Sequence, residues 1–162
     1  METVNMAVAI IQNDRHEILL REFDPANNPY KEPVGLFGGR LGNEEPTEQS
    51  MPEVLEMLNP ALLERWNMTV TIKERLPGVD EDVKADHDGR VRRFRYLKLL
   101  CELASGEPDP KNQNEKLFWR PKDKLADPQY YHQYNPPTAR AFIQLGYLPV
   151  NYLSMLPEDT QT

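Results

Sequence analysis

Only one cysteine, Cys101, occurs in 162 residues, so no disulfide framework can form within the chain. It sits in the apolar run YLKLLCEL, where a thiol is expected to fill core space rather than act as a nucleophile. The three histidines, His16, His87 and His132, lack the spacing of a zinc site. Nowhere does an apolar run approach the length of about 20 residues that spans a bilayer. Nor does a charged leader precede a short apolar stretch, and a soluble cytoplasmic protein that avoids membranes is expected. Positive charge is in deficit: a formal net charge of −7 disfavours general binding to nucleic acids or anionic membranes. It does not exclude a nucleotide whose phosphates are screened by a metal.

The length suits a single domain, expected over residues 1–150 with a C-terminal tail at 151–162. Fifteen prolines fall mostly between apolar runs, which implies long structured loops rather than disorder. Val4 to Gln12 and Glu17 to Phe23 predict a β-hairpin turned at Asn13 to His16, and Pro33 to Phe37 a short strand. Met68 to Leu76 alternates as a strand. Pro77 to Gly89 is expected to be an acidic loop or loose hairpin tip, with Asp88-Gly89 as the turn. Arg90 to Leu103 predicts the longest strand, with a kink or bulge between Phe94 and Leu97 where its alternation slips. Glu115 to Arg120 predicts a further strand. Asn135-Pro136-Pro137 opens a last helix that Gly146 closes.

The chemistry concentrates between Leu36 and Pro60, LFGGRLGNEEPTEQSMPEVLEMLNP. Ser50-Met51-Pro52-Glu53 is a capping box, with Pro52 in the first helical turn, where a missing N–H costs nothing. From there a helix is expected to about Leu58. Pro60 should end it or, with Asn59 as N-cap, start a second short helix over ALLERW. Glu53 and Glu56 are three apart and share a helix face, and a hard divalent cation is the usual reason to hold two carboxylates so close. Glu44 and Glu45 lie in the preceding polar loop. Gly38 and Gly39 suit a close approach of backbones.

These residues resemble the box of the Nudix hydrolases, G-x5-E-x7-R-E-U-x-E-E-x-G-U with U aliphatic. Gly38, Glu44, Glu53, Val54 and Glu56 fit it in one register, whereas starting at Gly39 would place Glu45 correctly but lose the later glutamates. Pro52 stands at the box arginine, Met57 at the second glutamate of the E-E pair, and Asn59-Pro60 at the closing glycine and aliphatic. The resemblance implies an α/β/α sandwich with a mixed β-sheet over about residues 4–148. It also implies a pyrophosphohydrolase dependent on Mg2+ or Mn2+, acting on a nucleotide-like small molecule in which a nucleoside diphosphate is linked to another moiety. Glu44, Glu53 and Glu56 would be the metal ligands and Glu56 or Glu115 the catalytic carboxylate. Gly38 and Gly39 would let a ligand approach the backbone, and Arg93 and Arg95, which share one strand face, would clamp a phosphate. A homodimer would be in keeping with the family.

Each assignment has a plainer competitor. Glu53 has a capping duty of its own, Glu115 starts a strand, and Arg93 and Arg95 can pair with the acidic stretch instead of a phosphate. Tyr130, Tyr131 and Tyr134 can line a base pocket or pack beneath a loop. Because three box positions differ, a nucleotide-binding or regulatory module that has lost its chemistry is the alternative function.

Overall fold

The computed structural model describes residues 1–155 except Gln113; most of the C-terminal tail expected at 151–162 lies outside the described residues. Among the described residues the strands are β1 (Thr3–Gln12), β2 (Glu17–Phe23), β3 (Val34–Gly35), β4 (Phe37–Arg40), β5 (Met68–Arg75), β6 (Asp80–Ala85), β7 (Val91–Gly106) and β8 (Glu115–Pro121). The helices are α1 (Met51–Trp66) and α2 (Pro136–Gln144). One mixed sheet runs β3-β2-β1-β7-β5, with β4 also on β1, β6 on β7 and β8 on β2. β1 and β7 are parallel, and the other pairings are antiparallel.

Side-chain alternation in β1 divides the core in two. Val4, Val8 and Ile10 point into the cluster beneath α2, while Ala7, Ala9 and Ile11 point into the cluster beneath α1. The small residues on the α1 side let that helix lie close. A Cβ at Gly39 would already be 3.1 Å from Ala61 Cβ, and one at Gly38 only 2.5 Å from the Ala7 carbonyl oxygen. Both glycines of the box therefore serve close packing of β4 between α1 and β1.

Several expectations need correction. The chain from Ser50 onward forms one helix, not two, and Pro60 sits inside it. Proline removes the bond to the Glu56 carbonyl at a cost of about 3 kcal/mol. Burial of Leu58, Leu62 and Trp66 on the same face offsets that cost. Asn59 is no N-cap; its amide group instead bonds the backbone of Val70 in both directions, at 3.0 and 2.9 Å. Of the two readings of the acidic stretch the hairpin holds and the loop does not: Asp80–Ala85 pairs in register with β7, and the turn runs over Asp86 to Gly89, including the expected Asp88-Gly89. Its alternate acids meet cations, Asp80 with Lys98 and Arg140 and Asp82 with Arg140, so a strand of poor propensity is held by cross-element charge.

β7 carries no bulge between Phe94 and Leu97. Its pairing with β1 runs unbroken from Arg93 to Glu102, and its alternation fails because a central strand is covered on both faces. The register shifts lie in β5 instead, at Thr69/Val70 and Ile72/Glu74. Finally, the strand expected over Pro33 to Phe37 is divided into β3 and β4.

Other expectations hold. Asn135 caps α2 by accepting from the Thr138 amide, and Gly146 at φ 77° lets the Tyr147 amide return to the Phe142 carbonyl. Cys101 is buried, which pushes its thiol up to about 12 and keeps it un-ionised at neutral pH. Tyr134 is packing: its hydroxyl donates to the Leu125 carbonyl and accepts from Arg120. Tyr130 lies 3.5 Å below the Arg120 guanidinium, and Tyr131 stands edge-on to the buried Tyr152.

Candidate functional site

At the N-terminal end of α1 a cleft of about 310 Å³ is lined by Gly42, Asn43, Glu44, Gln49, Glu53, Glu56 and Met57. Three of these are carboxylates and none is basic. The helix start is set by Ser50, whose hydroxyl accepts from the Glu53 amide while the Glu53 carboxylate accepts from the Ser50 amide, both at 3.3 Å. Glu53 therefore has a fixed position at the cleft rim through its capping duty. One turn on, Glu56 is exposed and makes no hydrogen bond or ion pair with the described residues. Met57, also exposed, puts a thioether into the wall.

The loop before the helix is tied down from the sheet. Asn5 on β1 donates to the carbonyls of Gly42 and Glu44 at 3.0 and 2.9 Å. Gln49, itself buried, donates to the Glu44 carbonyl at 3.3 Å. Arg75, at the end of β5, reaches the carbonyls of Pro46 and Gln49. Glu45 turns away from the cleft to Arg95 at 2.8 Å, and Arg95 also approaches Glu81 at 3.4 Å. Arg95 is thus paired on both sides. Its neighbour on the same face, Arg93, is exposed and carries no ion pair among the described residues.

Glu115 is not brought into this cleft. Its carboxylate accepts from Arg21 Nε at 3.0 Å and from the Trp66 indole N–H, at the far end of α1. Glu56 and Trp66 are separated along the helix by about 15 Å at 1.5 Å per residue. The Arg21 guanidinium is further enclosed by the rings of Phe23 and Trp66, at 4.4 and 4.6 Å. Burial lowers Arg21 to about 10, with Glu115 opposing the shift. Glu115 is thus the counter-ion of a buried cation. Of the eight residues marked by the sequence, Glu44, Glu53 and Glu56 share the cleft, Gly38 and Gly39 shape the strand leading to it, and Arg93, Arg95 and Glu115 lie outside its lining.

Sequence reasoning passed over Asn5, Gln49 and Arg75. Asn5, a polar residue in an otherwise apolar strand, was a visible signal; Arg75 was hidden by the β5 register shift.

Among the described residues no three His, Cys, Asp or Glu side chains gather as a metal-holding group. The donors still suit magnesium in kind, because this ion keeps several waters and takes one or two carboxylates together with substrate phosphates rather than an all-protein cage. Carboxylates around an open cleft match that demand.

No family model matches the sequence, and no curated protein does. Solved structures do. A NUDIX hydrolase from Nitrosomonas europaea superposes with a TM-score of 0.59 at 18% identity, covering 90% of this chain and 89% of that one. A MutT NUDIX hydrolase from Burkholderia pseudomallei gives 0.60 at 21% identity, over 90% of this chain and 99% of that one. With one mixed sheet between two helices, and the glutamate-bearing helix entered from β4, the chain has the Nudix fold.

Proposed function

We propose that the protein is a metal-dependent pyrophosphohydrolase that cleaves a nucleoside diphosphate-linked compound at the Glu44, Glu53 and Glu56 cleft. The observation that carries this reading is the cleft's lining, three acids with no base. A diphosphate cannot approach such a surface alone, because like charges in a confined cleft repel. A cation must enter with it. Glu53 and Glu56 would hold magnesium or manganese, with Glu44 as a further ligand directly or through water. The bound ion would neutralise the diphosphate and polarise the attacked phosphorus. Glu53 is oriented by its bond to the Ser50 amide, whereas Glu56 has no side-chain partner among the described residues and would accept a proton from the attacking water. Arg93, without an ion pair among the described residues on the sheet's α1 face, is the candidate for an outlying phosphate or second moiety.

In a panel of nucleoside diphosphate derivatives with magnesium or manganese, Glu56→Gln should lower kcat by about 100-fold or more. Turnover no higher in wild type than in a Glu53→Gln, Glu56→Gln double variant would sink the proposal. Met57 favours a second reading, a nucleotide-binding module without chemistry, since an apolar group occupies a position where the resemblance expects a carboxylate. Tight ADP binding that ignores chelator would support that reading.

A further inference from the structure

Beneath the cleft lies a contact that the regular alternation of β5 would not produce. Val70 and Ile72 belong to the α1 side of the sheet, so continued alternation would send Glu74 there and Arg75 to the opposite side. The register shift between Ile72 and Glu74 reverses this. It pairs Arg75 with Leu99, a member of the α1-side core. A bulge of this kind commonly re-aims one side chain beside a functional site. Here it aims a guanidinium at the loop that carries Glu44 and leads into Glu53.

We propose that Arg75 is the positioning residue of the carboxylate loop. Its Nη2 donates to the Pro46 carbonyl at 2.7 Å and its Nη1 to the Gln49 carbonyl at 3.2 Å. These carbonyls bracket the 3-10 turn Pro46–Glu48, and the planar fork of an arginine can hold both at once. Two links run from that clamp to the acids. Gln49, fixed through its backbone, fixes the Glu44 carbonyl through its side chain. Ser50, the next residue, is the cap that orients Glu53. Arg75 itself does not line the cleft, and it acts only through the loop.

The role in hydrolysis rests on the function proposed above; the clamp does not, and two readouts separate them. The first is amide hydrogen exchange by NMR on wild type, Arg75→Ala, Arg75→Lys and Val70→Ala, the last a buried β5 control that leaves the clamp intact. The Glu48 and Gln49 amides, bonded to the Glu45 and Pro46 carbonyls, should exchange about ten-fold faster in Arg75→Ala. They should be intermediate in Arg75→Lys and unchanged relative to the rest of the sheet in Val70→Ala. Equal exchange in wild type and Arg75→Ala, or equal acceleration in Arg75→Ala and Val70→Ala, would overturn the proposal. The second readout is manganese-induced line broadening at Glu53 and Glu56 in the presence of ADP. Broadening in wild type that weakens in Arg75→Ala and partly returns in Arg75→Lys supports positioning of the acids. Absence of broadening in wild type refutes the metal reading, while the exchange data still decide the clamp. Broadening as strong in Arg75→Ala as in wild type refutes the link from clamp to acids.

Discussion

Replacing Glu115 separates a catalytic role from a structural one. The carboxylate is 6% exposed and its partner Arg21 12% exposed, so both charges have left bulk water. Glu115→Ala would strand Arg21 against Phe23 and Trp66 and leave the indole N–H without its acceptor. Breaking a buried ion pair from one side costs roughly 3–5 kcal/mol. At roughly 2–4 °C per kcal/mol for a domain of this size, the midpoint should fall by roughly 6–20 °C. Removing both charges, as in Arg21→Met with Glu115→Leu, should recover much of that loss, because apolar pairs often replace buried ion pairs at little cost. The assay is thermal unfolding of the two single variants and the double, as a thermodynamic cycle. Manganese titration of Glu115→Gln at a temperature where it is folded should give the wild-type affinity. A stable Glu115→Ala, or a folded Glu115→Gln that no longer binds manganese, would refute the assignment of Glu115 as counter-ion.

Two further outcomes follow from packing and charge. Gly38→Ala would drive a methyl group to 2.5 Å from the Ala7 carbonyl, so β4 must shift away from β1; a loss of about 1–3 kcal/mol in urea unfolding is expected, and a neutral substitution would show that β4 is not wedged there. Asp86 is pushed up by burial, but hydrogen bonds from Arg40 and from the His87 amide and ring outweigh this, and the carboxyl lies at about 2 against an ordinary 3.8. A carboxyl with a lowered folded value adds stability above the ordinary value and loses it as pH falls through the folded one. Wild type should therefore lose stability more steeply than Asp86→Asn between about pH 4 and 2, and parallel urea midpoints across that window would contradict the ion-pair assignment.

Local signals were legible in the sequence. The capping box at Ser50, the cap at Asn135 and the first hairpin each depend on a few adjacent residues, and each appears where the residue types require it. What escaped the sequence depends on partners distant in the chain. Pro60 looked like a helix end because proline disfavours helix locally; the core beneath Leu58 and Leu62, together with the Asn59 bond to Val70, overrules it. The Asp80–Ala85 strand looked like a loop because its cations lie on β7 and α2. Glu44, Glu53 and Glu56, close in sequence, line one cleft because a loop and a helix start lie side by side there. Glu115 misled because a carboxylate at a strand start has no local feature that reveals a buried arginine opposite.

The division of labour along α1 accounts for how an exposed acidic rim can be tolerated. Its N-terminal part turns Glu53 and Glu56 to water, while Val54 is buried and the Ser50 capping box closes the first turn. Its C-terminal half buries Leu62 and Trp66 and is anchored by Trp66 to Glu115 and Arg21. Pro60 removes one backbone bond between the two halves of this continuous helix. Bonds from beside the helix add to its positioning: Asn59 ties its middle to β5, and Asn5, Gln49 and Arg75 tie the loop in front. A rim held by a few sheet-borne hydrogen bonds can open locally at low cost while the core stays closed.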